Sequence, residues 1–230
     1  MQYQEPEDFY AVYDTHRTYV RAEVRKKHLA EFGRNLWEPG GFQKSHRVLE
    51  IGCGTGLFLA FLAAKGVTDF TGIEMDPKAR EFMPEPIASR VQTTTLEAFL
   101  AGHDGAPFDR IVLLDVFEHF SMFEGVEILN QLTVLLSQDG SIVMRMPNAS
   151  SPWGWQYQLG DLTHKAAYTP GSISHIALGA GLRCALTKPY SRGSAFRRLT
   201  TRVIEGTLNR LLTDPPPIWT ANFVAVLAKP

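Results

Sequence analysis

Val48-Leu-Glu-Ile-Gly-Cys-Gly-Thr-Gly-Leu57 decides the fold. Its first four residues are an apolar run suited to a buried strand, glycines stand at 52, 54 and 56, and a second apolar run over 57–64 suits a helix. A strand, a glycine turn and a helix N-terminus in that order make a nucleotide cradle, because glycine lets the backbone approach a ligand closely. Glu50 separates two chemistries. The dinucleotide fingerprint G-x-G-x-x-G aims a helix N-terminus at a pyrophosphate. Here the place of its last glycine is taken by Leu57, and a carboxylate beside the turn repels phosphate. A carboxylate suits a cationic ligand instead.

Outward from this turn, strands and helices alternate as a parallel α/β sheet requires. The stretch 69–74 reads as a second strand ending in Glu74, roughly twenty residues beyond the first, where a carboxylate can accept ribose hydroxyls. Asp76 reads as the N-cap of a short helix that Pro77 opens and that Pro84 and Pro86 end. A third strand is expected over 89–93. The apolar run 111–114 is a fourth, and its carboxyl end delivers Asp115, Glu118 and His119 to the edge where open α/β sheets bind ligands. A helix over 124–136 and a fifth strand over 141–146 follow.

At 230 residues the chain is long enough for one domain with one core. Lys plus Arg number 23 against 24 Asp plus Glu, so no overall charge draws the protein to nucleic acid. Two cysteines, Cys53 and Cys184, make no disulfide framework and fit a reducing cytoplasm. The polar start is no signal peptide, and no apolar run has the length to span a bilayer.

Three segments lie outside the alternation. Residues 9–32 are rich in helix formers and in Arg, Lys and Glu, and read either as a solvated amphipathic helix or as a cap over the cleft. Residues 149–169 are long, weakly periodic and aromatic, with Trp153, Trp155, Tyr157 and Tyr168 around Asp161-Leu-Thr-His164. Aromatics argue against disorder, and a structureless segment this long is usually functional. It reads as an acceptor-binding loop or as a satellite core. Residues 195–212 form a helix with a broad apolar arc (Phe196, Leu199, Val203, Ile204, Leu208, Leu211) opposite Arg198, Arg202, Glu205 and Asn209. It packs on the domain, meets a second copy, or rests on a membrane with arginines toward anionic groups.

The pattern E-x-G-x-G-x-G over 50–56 resembles motif I of the class I S-adenosylmethionine methyltransferases, and Thr71-Gly-Ile-Glu-Met-Asp-Pro77 resembles their motif II. Phe108-Asp-Arg-Ile-Val-Leu-Leu-Asp-Val-Phe-Glu-His119 is similar to a segment of many small-molecule members. Gly160-Asp-Leu-Thr-His-Lys-Ala-Ala-Tyr-Thr-Pro170 resembles small bacterial members associated with surface-polysaccharide (O-antigen-type) biosynthesis. The resemblance implies an α/β, Rossmann-like fold with a seven-stranded, mostly parallel sheet, helices on both faces and an antiparallel C-terminal hairpin from 182–187 and 223–228. It implies a single domain over 1–230, with a helical cap at 1–40, an acceptor loop at 147–170 and a helical insertion at 192–217. The implied cofactor is S-adenosylmethionine, leaving S-adenosylhomocysteine. Glu50, Gly52, Cys53, Gly54, Gly56 and Phe58 would surround its amino-acid end, and Glu74 its ribose. Met75, Thr95 and Leu96 would meet the adenine, where many relatives place an acid that this chain lacks. Asp115, Val116 and His119 would complete the pocket, with Tyr10, Tyr13, Arg17 or Arg21 closing it from the cap.

The implied reaction is methyl transfer to a hydroxyl of a saccharide, with a small aromatic or quinone-like hydroxyl as the alternative acceptor. A sugar hydroxyl needs a base near neutrality, and histidine is the natural one. His164 leads, Asp161 three residues away is a candidate orienter, and His119 follows. Asp115, Asp161, His119 and His164 lack tight ligand spacing, so no metal is expected. The rivals are a nicotinamide-dependent oxidoreductase, disfavoured by Leu57 and Glu50, and a non-catalytic S-adenosylmethionine-binding module. The expected location is the cytoplasm, at the inner membrane face if 195–212 touches lipid, as a monomer or a homodimer.

Overall fold

The computed structural model describes residues 5–12 and 18–230. Seven strands form one sheet in the order β3-β2-β1-β4-β5-β7-β6. Strands β1 (Val48–Ile51), β2 (Phe70–Glu74), β3 (Val91–Thr93), β4 (Phe108–Leu114) and β5 (Leu136–Pro147) run parallel, while β7 (Asn222–Ala228) enters antiparallel between β5 and β6 (Arg183–Pro189). This is the expected seven-stranded, mostly parallel sheet with an antiparallel C-terminal pair.

Side-chain alternation explains the apolar runs at the centres of the inner strands. In β4, Ile111 and Leu113 enter the core on one face while Val112 enters the core on the other; β5 does the same with Ile142, Met144 and Val143. One face is covered by α4 (Leu96–Gly102), α5 (Met122–Leu135) and α7 (Pro170–Gly179), the other by α1 (Lys26–Phe32) and α2 (Leu57–Ala64). Within the second core Phe32, Phe42, Phe58 and Phe61 meet ring to ring, edge-on except for the stacked Phe58–Phe61 pair.

Several local expectations are corrected. The expected helix over 9–32 is a 3-10 turn, Pro6–Val12, an irregular stretch over 18–25 and the short α1, which continues as a π-helical turn, Gly33–Trp37. The stretch 18–25 has nonlocal partners instead: the Ala22 amide donates to the Phe82 carbonyl at 3.1 Å. Pro86 opens the one-turn α3 (Glu85–Ala88) rather than ending a helix, as its fixed φ suits a first turn. Two helices lie outside the regular succession of the sheet layers: the one-turn α6 (Trp155–Gln158), within the aromatic segment, and the long α8 (Ala195–Leu211), between β6 and β7.

Candidate functional site

The carboxyl ends of β1, β2 and β4 meet at one edge of the sheet. At β1 the chain turns through Gly52, Gly54 and Gly56, all with positive φ. A Cβ at Gly52 would stand 2.6 Å from Val116 Cγ2, and one at Gly56 2.6 Å from Ile87 Cγ2, so neither position has room for a side chain. Glu74 braces the turn: its Oε2 accepts from the Gly54 amide at 2.7 Å and its Oε1 from the Asp76 amide at 3.0 Å. Asp76 caps the 3-10 turn Pro77–Phe82, as expected, and accepts from the Tyr19 hydroxyl. Glu50 is buried below the turn, and its Oε2 is an acceptor with no hydrogen-bond partner. Burial pushes its carboxyl well above the usual range, with Arg145 pulling it back and Glu74 adding to the rise.

Residues 18–28 lie alongside this cradle. Arg21 lines a cavity of about 340 Å³ between residues 18–28 and Thr55 and Leu57 of the turn. Tyr10 reaches further, its hydroxyl 3.1 Å from His119 Nδ1. Tyr13 and Arg17 lie outside the described residues.

A second cavity, about 380 Å³, lies between the end of β4 and the aromatic segment. Asp115, Glu118, His119, Asp161, His164 and Arg192 line it. Asp115 holds a left-handed φ of 57°, which among the described residues no other non-glycine shares. Its carboxylate is spent on Arg145, whose Nε donates at 2.8 Å and whose Nη2 makes a second bond. Burial works against the Arg145 cation, but Asp115 and Tyr190 outweigh it and keep the guanidinium charged. Asp115 is therefore tied to Arg145 and stands as a wall of the cavity.

The two histidines meet edge to face, centroids 4.7 Å apart. His164 Nδ1 lies 3.0 Å from the Gln158 carbonyl. A carbonyl only accepts, so Nδ1 carries the hydrogen and Nε2 of the neutral ring is left bare. Nε2 faces two acids, Glu118 Oε1 at 4.0 Å and Asp161 Oδ2 at 3.9 Å. Glu118 is 1 % exposed and both its carboxyl oxygens lack a hydrogen-bond partner. Burial, then the charge of Asp115, pushes Glu118 well above the usual carboxylate range, which favours its neutral form. Asp161 goes the other way: burial alone would raise it, but bonds from the Thr163 hydroxyl and amide and the nearby histidines hold it below the usual range. Thr163 spends its hydroxyl hydrogen on Asp161 at 2.5 Å, leaving its oxygen to accept from His119 Nδ1 at 3.0 Å. One donor atom each from His119, Asp161 and His164 lie within 4.8 Å of one another, a grouping that the wide sequence spacing did not suggest.

The aromatic segment is pinned from below. Asn148, fully buried, donates to the carbonyls of Ile218 and Thr220 at 2.8 and 3.1 Å, and the Ser151 hydroxyl donates to the Trp219 carbonyl at 2.6 Å. Above this anchor Trp153, Trp155 and Tyr157 are exposed.

Over residues 16–186 the sequence matches the family described as "Methyltransferase domain". The chain belongs to that family. The methyltransferase is similar in structure to a SAM-dependent methyltransferase from Archaeoglobus fulgidus, at 19% identity and a TM-score of 0.71, over 96% of this chain and 100% of that one. It is similar also to the magnesium protoporphyrin IX methyltransferase of Synechocystis PCC 6803, at 13% identity and a TM-score of 0.60, over 100% and 99% of the two chains. An O-methyltransferase from neocarzinostatin biosynthesis matches at 15% identity and a TM-score of 0.58, over 88% of this chain and 56% of that one. At these identities the likeness is one of fold. No curated protein matches the chain. The cradle fits S-adenosylmethionine as cofactor: a glycine turn too tight for side chains, an acid braced at the end of β2, and the unsatisfied Glu50 oxygen beneath.

Against the sequence expectations, the methyltransferase gathers Glu50, Gly52, Gly54, Gly56, Glu74, Asp115, Val116 and His119 at one sheet edge, with Met75 exposed beside them and Arg21 across the turn. Four side chains go elsewhere. Phe58 is buried in the aromatic core, Leu96 packs in the main core, and Cys53 faces inward, its thiol raised by burial and by Glu50 and Glu74. The Thr95 hydroxyl caps α4 by accepting from the Ala98 amide. Of the loop aromatics, Tyr168 is core, its hydroxyl donating to the Phe120 carbonyl at 3.0 Å. The Gln158 carbonyl holds the His164 ring at Nδ1, Asp161 Oδ2 stands 3.9 Å from its Nε2, and Asp161 also serves Thr163 and through it His119.

Proposed function

We propose that the methyltransferase O-methylates a saccharide hydroxyl, on a glycan or a lipid-linked saccharide, with His164 as general base. The observation that carries this reading is the His164 ring, its Nδ1 fixed on the Gln158 carbonyl so that a bare Nε2 faces the cavity. S-adenosylmethionine, when bound, supplies an electrophilic methyl on a positively charged sulfur and leaves as S-adenosylhomocysteine. This chain's own residues align the acceptor and take its proton. The acceptor oxygen forms the new bond to carbon as its hydrogen passes to His164 Nε2. The ionised Asp161, 3.9 Å away, stabilises the imidazolium so formed. Glu118, kept neutral by burial, adds a donor and no competing charge. Exposed Trp153, Trp155 and Tyr157 offer flat faces for the apolar side of a sugar ring. We place the reaction in the cytoplasm and in the making of surface polysaccharide; among the described residues no helix is long and apolar enough to cross a membrane.

The same aromatic faces favour a second reading, an aromatic or quinone-like hydroxyl; the neocarzinostatin enzyme was solved with 1,4-dihydroxy-2-naphthoic acid. A panel of saccharide and phenolic acceptors separates the two. For the base, His164→Ala should lower kcat by about 10²–10⁴ while leaving affinity for S-adenosylmethionine unchanged. Near wild-type turnover at saturating acceptor overturns the assignment. Activity should survive a chelator; loss restored by a divalent cation would hand His119, Asp161 and His164 a metal role instead.

A further inference from the structure

Helix α8 is amphipathic, and it is mounted the wrong way round for a helix that completes a core. None of its residues is buried. Its apolar arc points outward, with Phe196 74 %, Leu199 60 %, Val203 62 % and Leu211 75 % exposed. Its polar face turns to the body. Asn209 Oδ1 accepts from the Trp219 indole at 2.7 Å, and Glu205 is covered enough for burial to raise its carboxyl. An apolar helix face turned to water costs free energy unless something covers it.

We propose that α8 is an interfacial helix that lays the methyltransferase on an anionic membrane surface. Charge decides the occupant. Between 195 and 211 stand four arginines (197, 198, 202, 210) and one acid, Glu205, in a chain whose whole net charge is −1. At 100° per residue, Arg197 and Arg210 fall just inside the two borders of the apolar arc. A second copy packed on this face by two-fold symmetry would put four arginines, two from each copy, around one apolar seam with no acid on the arc to offset them. A bilayer with anionic headgroups takes the apolar arc into its boundary while the arginine stems snorkel to phosphate. Placement adds to this: Arg192, three residues ahead of the helix, lines the cavity of the two histidines. Docking on α8 would hold Arg192, and with it one wall of the acceptor cavity, close to the lipid surface, where a lipid-linked saccharide would be presented. Membrane docking itself stands even if the acceptor proves not to be a saccharide.

The test is flotation of the full chain with vesicles of phosphatidylcholine alone or mixed with phosphatidylglycerol. Wild type should float with the mixed vesicles and stay behind with the neutral ones, and salt should weaken the binding. Replacing Arg197 and Arg210 by Gln should lower partitioning about fivefold per arginine. The double variant Leu199→Glu, Ile204→Glu should abolish it while keeping the wild-type thermal shift with S-adenosylmethionine, since neither residue enters a core. No binding to anionic vesicles overturns the proposal. So does a lipid-free dimer by light scattering that the Leu199→Glu, Ile204→Glu variant turns into monomer, for that gives the face to a second copy.

Discussion

A single β-carbon is enough to test the cradle. Gly52→Ala would put one 2.6 Å from Val116 at a φ of 65°, so the turn must shift and the new residue is strained by about 1–2 kcal/mol. Calorimetric titration should then show weaker S-adenosylmethionine binding, with a lowered unfolding midpoint. The sequence makes this position legible because glycines at alternate positions after an apolar run spell a tight turn that a ligand can approach closely. His164 was legible as well, through the motif that carries it. Its partner was not: the ring is held by the backbone carbonyl of Gln158, and any residue type supplies a carbonyl. Glu118 was visible at the end of a strand, but its protonation depends on burial at 1 % exposure, which only the packed loop creates. Arg145 was not legible, since an arginine among the apolar neighbours of β5 gives no sign that Asp115 stands just past the end of the adjacent strand.

Helix α5 begins with a capping box that also carries the acceptor segment. The Ser121 amide donates to Glu124 at 2.7 Å, and Lys165 donates to the same carboxylate at 3.0 Å. The Ser121 amide, then Lys165, lower the Glu124 carboxyl from 4.5 to about 2. Its folded-state value is depressed, so its stabilisation is complete above the unfolded value and fades as pH falls through about 2. Nearly half the side chain is exposed and screened, which limits the effect to about 1 kcal/mol. Thermal melts of Glu124→Gln should lie below wild type at neutral pH, and the gap should close on acidification. Elements with their own periodicity, such as α2 and α5, were readable. The stretch 18–25 was not, because helix-forming composition gives way there to a distant bond, Ala22 to Phe82. For α8 the amphipathic pattern was plain, but a pattern states that two faces differ and not which one turns to the body.

For the molecule as a whole, the cofactor expectation has a direct measure. Ligand at a hundred times its dissociation constant adds about 2.7 kcal/mol, a rise in unfolding midpoint of roughly 5–10 °C for a chain this size. S-adenosylmethionine and S-adenosylhomocysteine should both give that rise and NADH none; a rise with NADH alone would mean that the Glu50 and Leu57 reading of the turn is mistaken. The parallel character of the sheet was legible because strands and helices alternate along the chain, while its seven strands and antiparallel C-terminal pair were implied by the family resemblance and the strand order was not legible. That order also bears on how the protein is made. Strand β7 follows every other strand in sequence yet sits inside the sheet, bonded to β5 on one side and β6 on the other. While the chain is being synthesised, β5 and β6 therefore present open edges until β7 arrives, and open edges are where strands of different chains join. The nascent chain must be kept from its neighbours until residues 222–228 emerge, so a stop codon a few residues short of β7 would yield aggregate and not a weakened enzyme.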